Sequence, residues 1–281
     1  QDEAVSTAAT TEESYSNVAD VVNDDALHEP LYATLEHNSW ILNKTRSVLP
    51  DSPTVTDGFI SRNLSGTDGV FAEMSRGNTV GVFQCESAGM TNLIVNMRPE
   101  RFSDIAAAIA LYRPGPMFFI DSYLINRKHP ENIKYRTPLL KDILDETNGC
   151  MVYQEQVMQI FRSLAGYSLG RADIVRRAMS KKKHKVMEEE RAFFCEGRQK
   201  NGIDNKIANE IFDDMSSFAS YAFNKSHAAA YAVVSYQTAY LKHYYPVEFM
   251  AALMTSVIDN AEKVAEYIYT CRQMGINILL L

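Results

Sequence analysis

His227-Ala228-Ala229-Ala230-Tyr231-Ala232-Val233-Val234-Ser235-Tyr236-Gln237-Thr238-Ala239-Tyr240-Leu241-Lys242-His243-Tyr244 decides the fold. The run holds neither Gly nor Pro, and Tyr231, Val234, Thr238 and Leu241 recur at steps of three, four and three. That is the period of one helix face. Ser226 is expected to cap this helix, and Pro246 to open another at its first turn. Beyond it, Asp259-Asn260 caps a last helix that Gly275 ends, before Ile276-Asn277-Ile278-Leu279 turns extended. An unpaired apolar run there suggests a fragment of a longer protein.

The same period continues toward the N-terminus. Helices are expected over 205–218, 185–201 (closed by Gly202), 169–179, 154–164 (closed by Gly166) and 139–146 (closed by Asn148-Gly149). A helix capped by Ser103 runs to Leu111, where Arg113-Pro114-Gly115-Pro116 forces an irregular turn. Residues 86–97 place Met90, Leu93, Ile94 and Met97 on one apolar face, ended by Pro99. Before them come a short extended segment, 79–84, and a short helix at Phe71-Ala72-Glu73-Met74, stopped by Gly77. The fold class that follows is mainly α.

Length and composition agree with a globular chain. The 281 residues are 46% hydrophobic and 22% charged, which excludes collagen-like, mucin-like and wholly disordered classes. No apolar run approaches the ~20 residues needed to span a bilayer. Gln1-Asp2-Glu3 lacks the basic-then-apolar order of a signal peptide, so a soluble, cytoplasmic chain without a membrane partner is expected. Cys85, Cys150, Cys195 and Cys271 are too scattered for a zinc site or a disulfide framework and read as buried thiols.

Charge is unevenly divided. The net charge of -7 arises at the front, where residues 1–68 carry 12 acids against 3 bases; the remainder carries 23 against 25. The first 25 or so residues are small, polar and acidic without period, as a mobile tail would be. His37-Asn38-Ser39 and Trp40 are assigned to capping and packing.

Three motifs carry chemistry. In Ala172-Asp173-Ile174-Val175-Arg176-Arg177-Ala178-Met179-Ser180-Lys181-Lys182-Lys183, Ala172, Val175 and Met179 face inward. Arg177 with Lys181, and Arg176 with Lys183, then form two basic rows. So many cations at one helix end call for an anion, and Arg forks with Lys charges suit a triphosphate or a nucleic-acid backbone. Asn224-Lys225-Ser226-His227 sets an amide, a cation, a hydroxyl and an imidazole at a helix start, where backbone N–H groups favour anions. Simple capping is the alternative there. Tyr221 and Phe223 could stack a base or fill core. Arg113 sits on a stiff turn, and Tyr153-Gln154-Glu155-Gln156 is explained by helix capping. No Asp-x-Asp for a two-metal site occurs, and Asp213-Asp214 reads as an exposed helix face.

In this order, Gly81-Val82-Phe83-Gln84 to Gly89-Met90, Ile109 to Pro116, Tyr153 to Met158, Ala165-Gly166-Tyr167-Ser168, Arg176 to Lys183, Phe223 to His227 and Ser235 to Lys242 resemble the family C replicative polymerases, the bacterial DNA polymerase III alpha subunits. The resemblance covers residues 68–281 and implies a helical fingers domain, incomplete at its C-terminal end; residues 1–67 stand apart as an acidic, poorly ordered segment. It further implies DNA-directed DNA polymerase chemistry, with the palm aspartates and their Mg2+ absent from this chain, so that no catalytic or metal-binding residue is assigned and the fragment alone is inactive. Substrate contacts fall on Arg113, Arg176, Arg177, Lys181, Lys182, Lys183, Asn224, Lys225, Ser226 and His227, expected to converge on one anionic pocket. Implied partners are DNA template-primer, deoxynucleoside triphosphates and, through segments not present here, replicase subunits such as the sliding clamp. Ser180 and Cys85 depart from the family's usual glycine and leucine or phenylalanine. A stand-alone nucleic-acid-binding helical module and a helical scaffold are the competing readings.

Overall fold

The computed structural model describes residues 69–197 and 201–279. The tail over 1–25, the His37–Trp40 reading and the whole of the 1–67 segment therefore lie outside the described residues. Twelve helices are present among the described residues: α1 (Gly69–Ser75), α2 (Ala88–Met97), α3 (Phe102–Leu111), α4 (Ile120–Lys128), α5 (Lys141–Leu144), α6 (Gln154–Ala165), α7 (Leu169–Ser180), α8 (His184–Gly197), α9 (Asn205–Phe218), α10 (Lys225–Tyr244), α11 (Pro246–Ser256) and α12 (Ala261–Gln273). Short 3-10 turns join some of them, and among the described residues no strand forms. None of these helices is long and apolar enough to cross a membrane.

Three apolar clusters hold the helices. In the first, α10 packs along α3 and against α1, with Tyr231, Ala232, Tyr236 and Ala239 meeting Ile105, Ala108, Leu111, Phe71 and Met74. Small side chains at Ala106, Ala107, Ala108, Ala110, Ala228 and Ala232 let α3 and α10 approach closely. The second joins α5 to α9 around Phe161, Phe194 and Phe212, whose rings lie 5.5 to 6.1 Å apart. Aromatic pairs at this spacing add to their area burial. A third, smaller cluster of Leu241, Phe249, Met250, Leu253, Tyr267 and Cys271 closes α10, α11 and α12.

Most periodic segments form as read, including the Gly166 stop of α6 and the Asn260 cap of α12; the 139–146 segment is the short α5 between two 3-10 turns, and residues 198–200 of the 185–201 helix lie outside the described residues. Four expectations need correction. Residues 79–84 are a succession of turns rather than an extended segment. Val82 N–H bonds Thr79 O at 2.9 Å and Cys85 N–H bonds Val82 O at 2.9 Å, with Gln84 at φ 59°. The cap of α10 is Asn224, whose side chain accepts from His227 N–H at 2.8 Å, so the helix starts before Ser226. The cap of α3 is Arg101, because the Asp104 carboxylate reaches back to the N–H groups of Glu100 and Arg101, at 3.0 and 3.3 Å; Ser103 lies inside the helix. Finally, Cys85 and Cys271 are buried thiols, whereas Cys150 and Cys195 are only partly buried.

Candidate functional site

Two of the sequence motifs are welded together at the start of α10. Tyr153 and Phe223 form a parallel bridge: Gln154 N–H donates to Phe223 O at 2.8 Å, and Phe223 N–H to Val152 O at 3.1 Å. The Gln154 side chain adds a bond to Ala222 O at 3.1 Å. Glu155 accepts from Lys225 N–H at 2.9 Å, filling one of the unpaired donors of the helix start. Glu146 takes the Lys225 ammonium with both oxygens, at 2.8 and 2.9 Å. Gln156 anchors the assembly from below, accepting from Val152 and Tyr153 N–H while donating to Ile143 O and Thr147 Oγ1.

The turn after α3 brings Arg113 to the same corner. Its Nη2 donates to Tyr221 O at 3.0 Å and its guanidinium lies 4.4 Å from the centre of the Phe223 ring. Among the described residues Nε is buried without a hydrogen-bond partner, and no carboxylate pairs with this arginine. Gly115 makes the approach possible: at φ 103° its bare Cα faces Tyr221, whose Cδ1 would lie 2.3 Å from a Cβ. His227 stacks between Phe223 and Tyr231, with ring centroids 5.3 and 4.2 Å away. Burial, followed by the charge of Arg113, pushes the His227 imidazole below its ordinary value. Asn224 is half-buried as the cap, while Lys225 and Ser226 are exposed.

The second group lies at the end of α7, in the other core. Ala172, Val175 and Met179 are buried there, as their spacing requires. Asp173 serves both arginines. Its Oδ1 accepts from Arg176 Nε and Nη2 at 3.0 and 2.8 Å, and its Oδ2 lies 2.8 Å from Arg177 Nε. Arg177 remains 68% exposed and Arg176 only 12%. Lys181, the cap, keeps the helical step from Arg177, its N–H bonding Arg177 O at 3.1 Å, but the second row does not form as read, because α7 ends at Ser180 and Lys182 takes a left-handed conformation, at φ 51°. Lys183 N–H closes the end on Ala178 O at 3.0 Å, so Lys183 leaves a turn rather than continue the Arg176 face, and all three lysines are exposed. Ser180 is exposed at that end. Arg113, Lys225 and His227 thus lie around the start of α10, and Arg176, Arg177 and the lysines at the end of α7; among the described residues no hydrogen bond or ion pair joins the two groups.

The model of the bacterial DNA polymerase III alpha subunit finger domain matches residues 62–202, half of the chain. The chain belongs to this polymerase fingers family. It is 56% identical over 210 residues to the DNA polymerase III subunit alpha of Chlamydia muridarum, an alignment that takes 74% of this chain and 17% of that protein. It is 50% identical over 214 residues to the subunit of Thermus aquaticus, covering 74% of this chain and 18% of that protein. With the subunit of Buchnera aphidicola subsp. Acyrthosiphon pisum it shares 52% identity over 246 residues, 85% of this chain and 20% of that protein. The chain thus spans about a fifth of the length of these relatives. Arg113 and the α7 cations lie inside the fingers match; Asn224 to His227 lie beyond its end.

The partners of these cations were missed from the sequence. Asp173 was legible, since i,i+3 and i,i+4 spacing puts it beside Arg176 and Arg177. Glu146 and Glu155 were not, because they come to Lys225 from 79 and 70 residues away. Among the described residues no three His, Cys, Asp or Glu side chains gather to hold a metal ion. Asp213 pairs with Arg191, and Asp214 with Arg136 at 2.7 Å, so this acidic pair is spent on ion pairs across α9.

Proposed function

We propose that this chain is the substrate-gripping fingers segment, residues 68–281, of a cytoplasmic DNA-directed DNA polymerase. In this reading Arg113, Arg176, Arg177, Lys181, Lys182, Lys183, Asn224, Lys225, Ser226 and His227 bind an incoming deoxynucleoside triphosphate and the phosphates of a template-primer. The reading is electrostatic. Cations fixed beside the reacting phosphates neutralise charge that develops on the leaving group and exchange no protons. The Mg2+ of such a reaction, and contacts to a sliding clamp, fall to other parts of the polymerase, and the segment alone extends no primer.

One observation carries this reading: Arg113, half-buried, keeps a guanidinium fixed against Phe223 with no carboxylate among the described residues to balance it. A cation so held has its orientation prepared in advance and its counter-charge still to come. Titrating the chain with deoxyadenosine triphosphate tests this. Arg113→Ala and Arg177→Ala should each weaken binding about tenfold or more, the loss of one charge-assisted contact. Salt-sensitive DNA binding that neither substitution nor triphosphate alters would instead favour the stand-alone nucleic-acid module.

A further inference from the structure

The cations of the two groups differ in what balances them. Arg176 and Arg177 share Asp173, and Lys225 is held by Glu146. Among the described residues Arg113 has one carbonyl, one ring face and a buried Nε without a partner. His227, half-buried between Phe223 and Tyr231, likewise hydrogen-bonds no carboxylate through its ring among the described residues. Two positive charges in one corner, both short of a counter-ion, would repel each other. A guanidinium cannot release its proton at any physiological pH, whereas an imidazole can.

We infer that His227 meets its ligand as an uncharged imidazole that donates one ring N–H to a phosphate oxygen, while Arg113 supplies the positive charge of the corner. This deepens the proposed function and rests on it. The surrounding groups agree. From the turn after α3 comes Arg113, the charge among the described residues that acts on the imidazole, after burial. On α10 itself stand Tyr231, a neutral phenol raised by burial, and Lys225, whose charge is taken up by Glu146. From the start of α6 come Tyr153, raised by burial, and Glu155, whose carboxylate is committed to Lys225 N–H. None of these offers the imidazole a negative partner that would keep it protonated.

A neutral ring suits the task. It presents one donor and one acceptor, so it reads direction as well as charge, and the Phe223 and Tyr231 rings that fix its plane fix that direction too. A lysine in its place would add a second cation to the corner and lose the fixed donor.

The test uses the whole chain, with deoxyadenosine triphosphate as probe. Proton resonances of the His227 ring, followed against pH, should titrate with a midpoint below the ordinary ~6.5 of histidine, and Arg113→Ala should move that midpoint upward. His227→Gln, which keeps a neutral donor, should bind the triphosphate within about threefold of the unsubstituted chain; His227→Lys should bind about tenfold more weakly. A midpoint at or above the ordinary value, or His227→Lys binding as well as His227→Gln, overturns the inference. If Arg113→Ala and Arg177→Ala both leave triphosphate binding unchanged, the substrate reading itself fails and takes the inference with it. If Arg113→Ala weakens binding while His227→Lys matches the unsubstituted chain, only the uncharged imidazole is wrong.

Discussion

Arg127 grips Asp104 with both prongs of its guanidinium, Nη1 to Oδ1 and Nη2 to Oδ2 at 2.8 Å each. The carboxylate is 1% exposed and the guanidinium 15%. Arg127 also donates to Met97 O at 2.8 Å and Arg98 O at 3.1 Å, so one side chain ties α4 to the end of α2 and the start of α3. The same Asp104 caps α3 through the N–H groups of Glu100 and Arg101. Removing Arg127 leaves the buried Asp104 carboxylate with only Arg101 Nε, at 3.4 Å, and two backbone N–H groups to balance it. Arg127→Met should therefore destabilise the chain by about 3 to 5 kcal/mol, read as a lowered urea midpoint. A change below about 1 kcal/mol would mean that water reaches Asp104 and satisfies it.

This pair also explains what the sequence hid. Helix α4 shows no usable period, since Tyr123 is buried but Ile125 is 60% exposed; its place is set by Arg127 reaching partners 23 to 30 residues away. The turns over 79–84 mislead for a related reason. Phe83 N–H donates to Thr238 Oγ1 at 3.0 Å and Phe83 O accepts from Ser235 Oγ at 2.9 Å. Side chains of α10 thus supply the bonds that a neighbouring strand would have made, and nothing within the segment announces it. By contrast α7, α9 and α10 were legible because burial there follows the 3.6-residue period. At the candidate site the cations could be read directly. Which of them carry a carboxylate could not, for Glu146 and Glu155 reach Lys225 only through the folded chain.

The contact of Gly115 with Tyr221 should be testable by substitution. Alanine at Gly115 meets two separate obstacles, a φ of 103° and the Tyr221 ring at 2.3 Å. Strain of this kind costs on the order of 1 to 3 kcal/mol, and the ring contact adds to it. Gly115→Ala should lower thermal stability, and its combination with Tyr221→Ala should recover the steric part but not the backbone part. Strict additivity of the two substitutions would show that the ring does not rest on Gly115 in solution.

Asp173 sets how much charge α7 presents. Its pairs with Arg176 and Arg177 are short-range helix pairs, one with an exposed arginine, so Asp173→Ala should cost less than about 1 kcal/mol in stability. Its effect on anions should be larger. With the carboxylate gone both arginines are released, and single-stranded DNA should bind more tightly at low salt. The slope of log affinity against log salt should steepen by up to about 0.7, the share of one additional single-strand phosphate contact. An unchanged slope would place these arginines away from any nucleic-acid backbone.

Lys242 gives the chain a distinctive alkaline response. It is 7% exposed, its ammonium donating to Asn78 O at 3.1 Å and Val80 O at 2.8 Å. Burial pulls it down to about 8, against a smaller opposing pull from Glu73 and Glu86. An unfolded lysine titrates near ~10.4. Below about pH 8 both states are protonated and the full cost of burying the charge is present. Between about 8 and 10.4 the unfolded chain holds a proton that the folded chain has released, so stability from this group rises with pH. Cys85 acts oppositely: burial raises its thiol to about 12, so the unfolded chain ionises first and stability falls above about 9. The difference between the unsubstituted chain and Lys242→Met removes the Cys85 contribution, common to both, and leaves the lysine together with its smaller effect on the Cys271 thiol. In urea unfolding from pH 7.5 to 10, the unsubstituted chain should gain on Lys242→Met by about 1 kcal/mol per pH unit above 8. Because methionine leaves the carbonyls of Asn78 and Val80 without their donor, a constant offset against the variant should underlie that gain. Parallel curves across the whole range would show that the ammonium stays solvated and charged in the folded state.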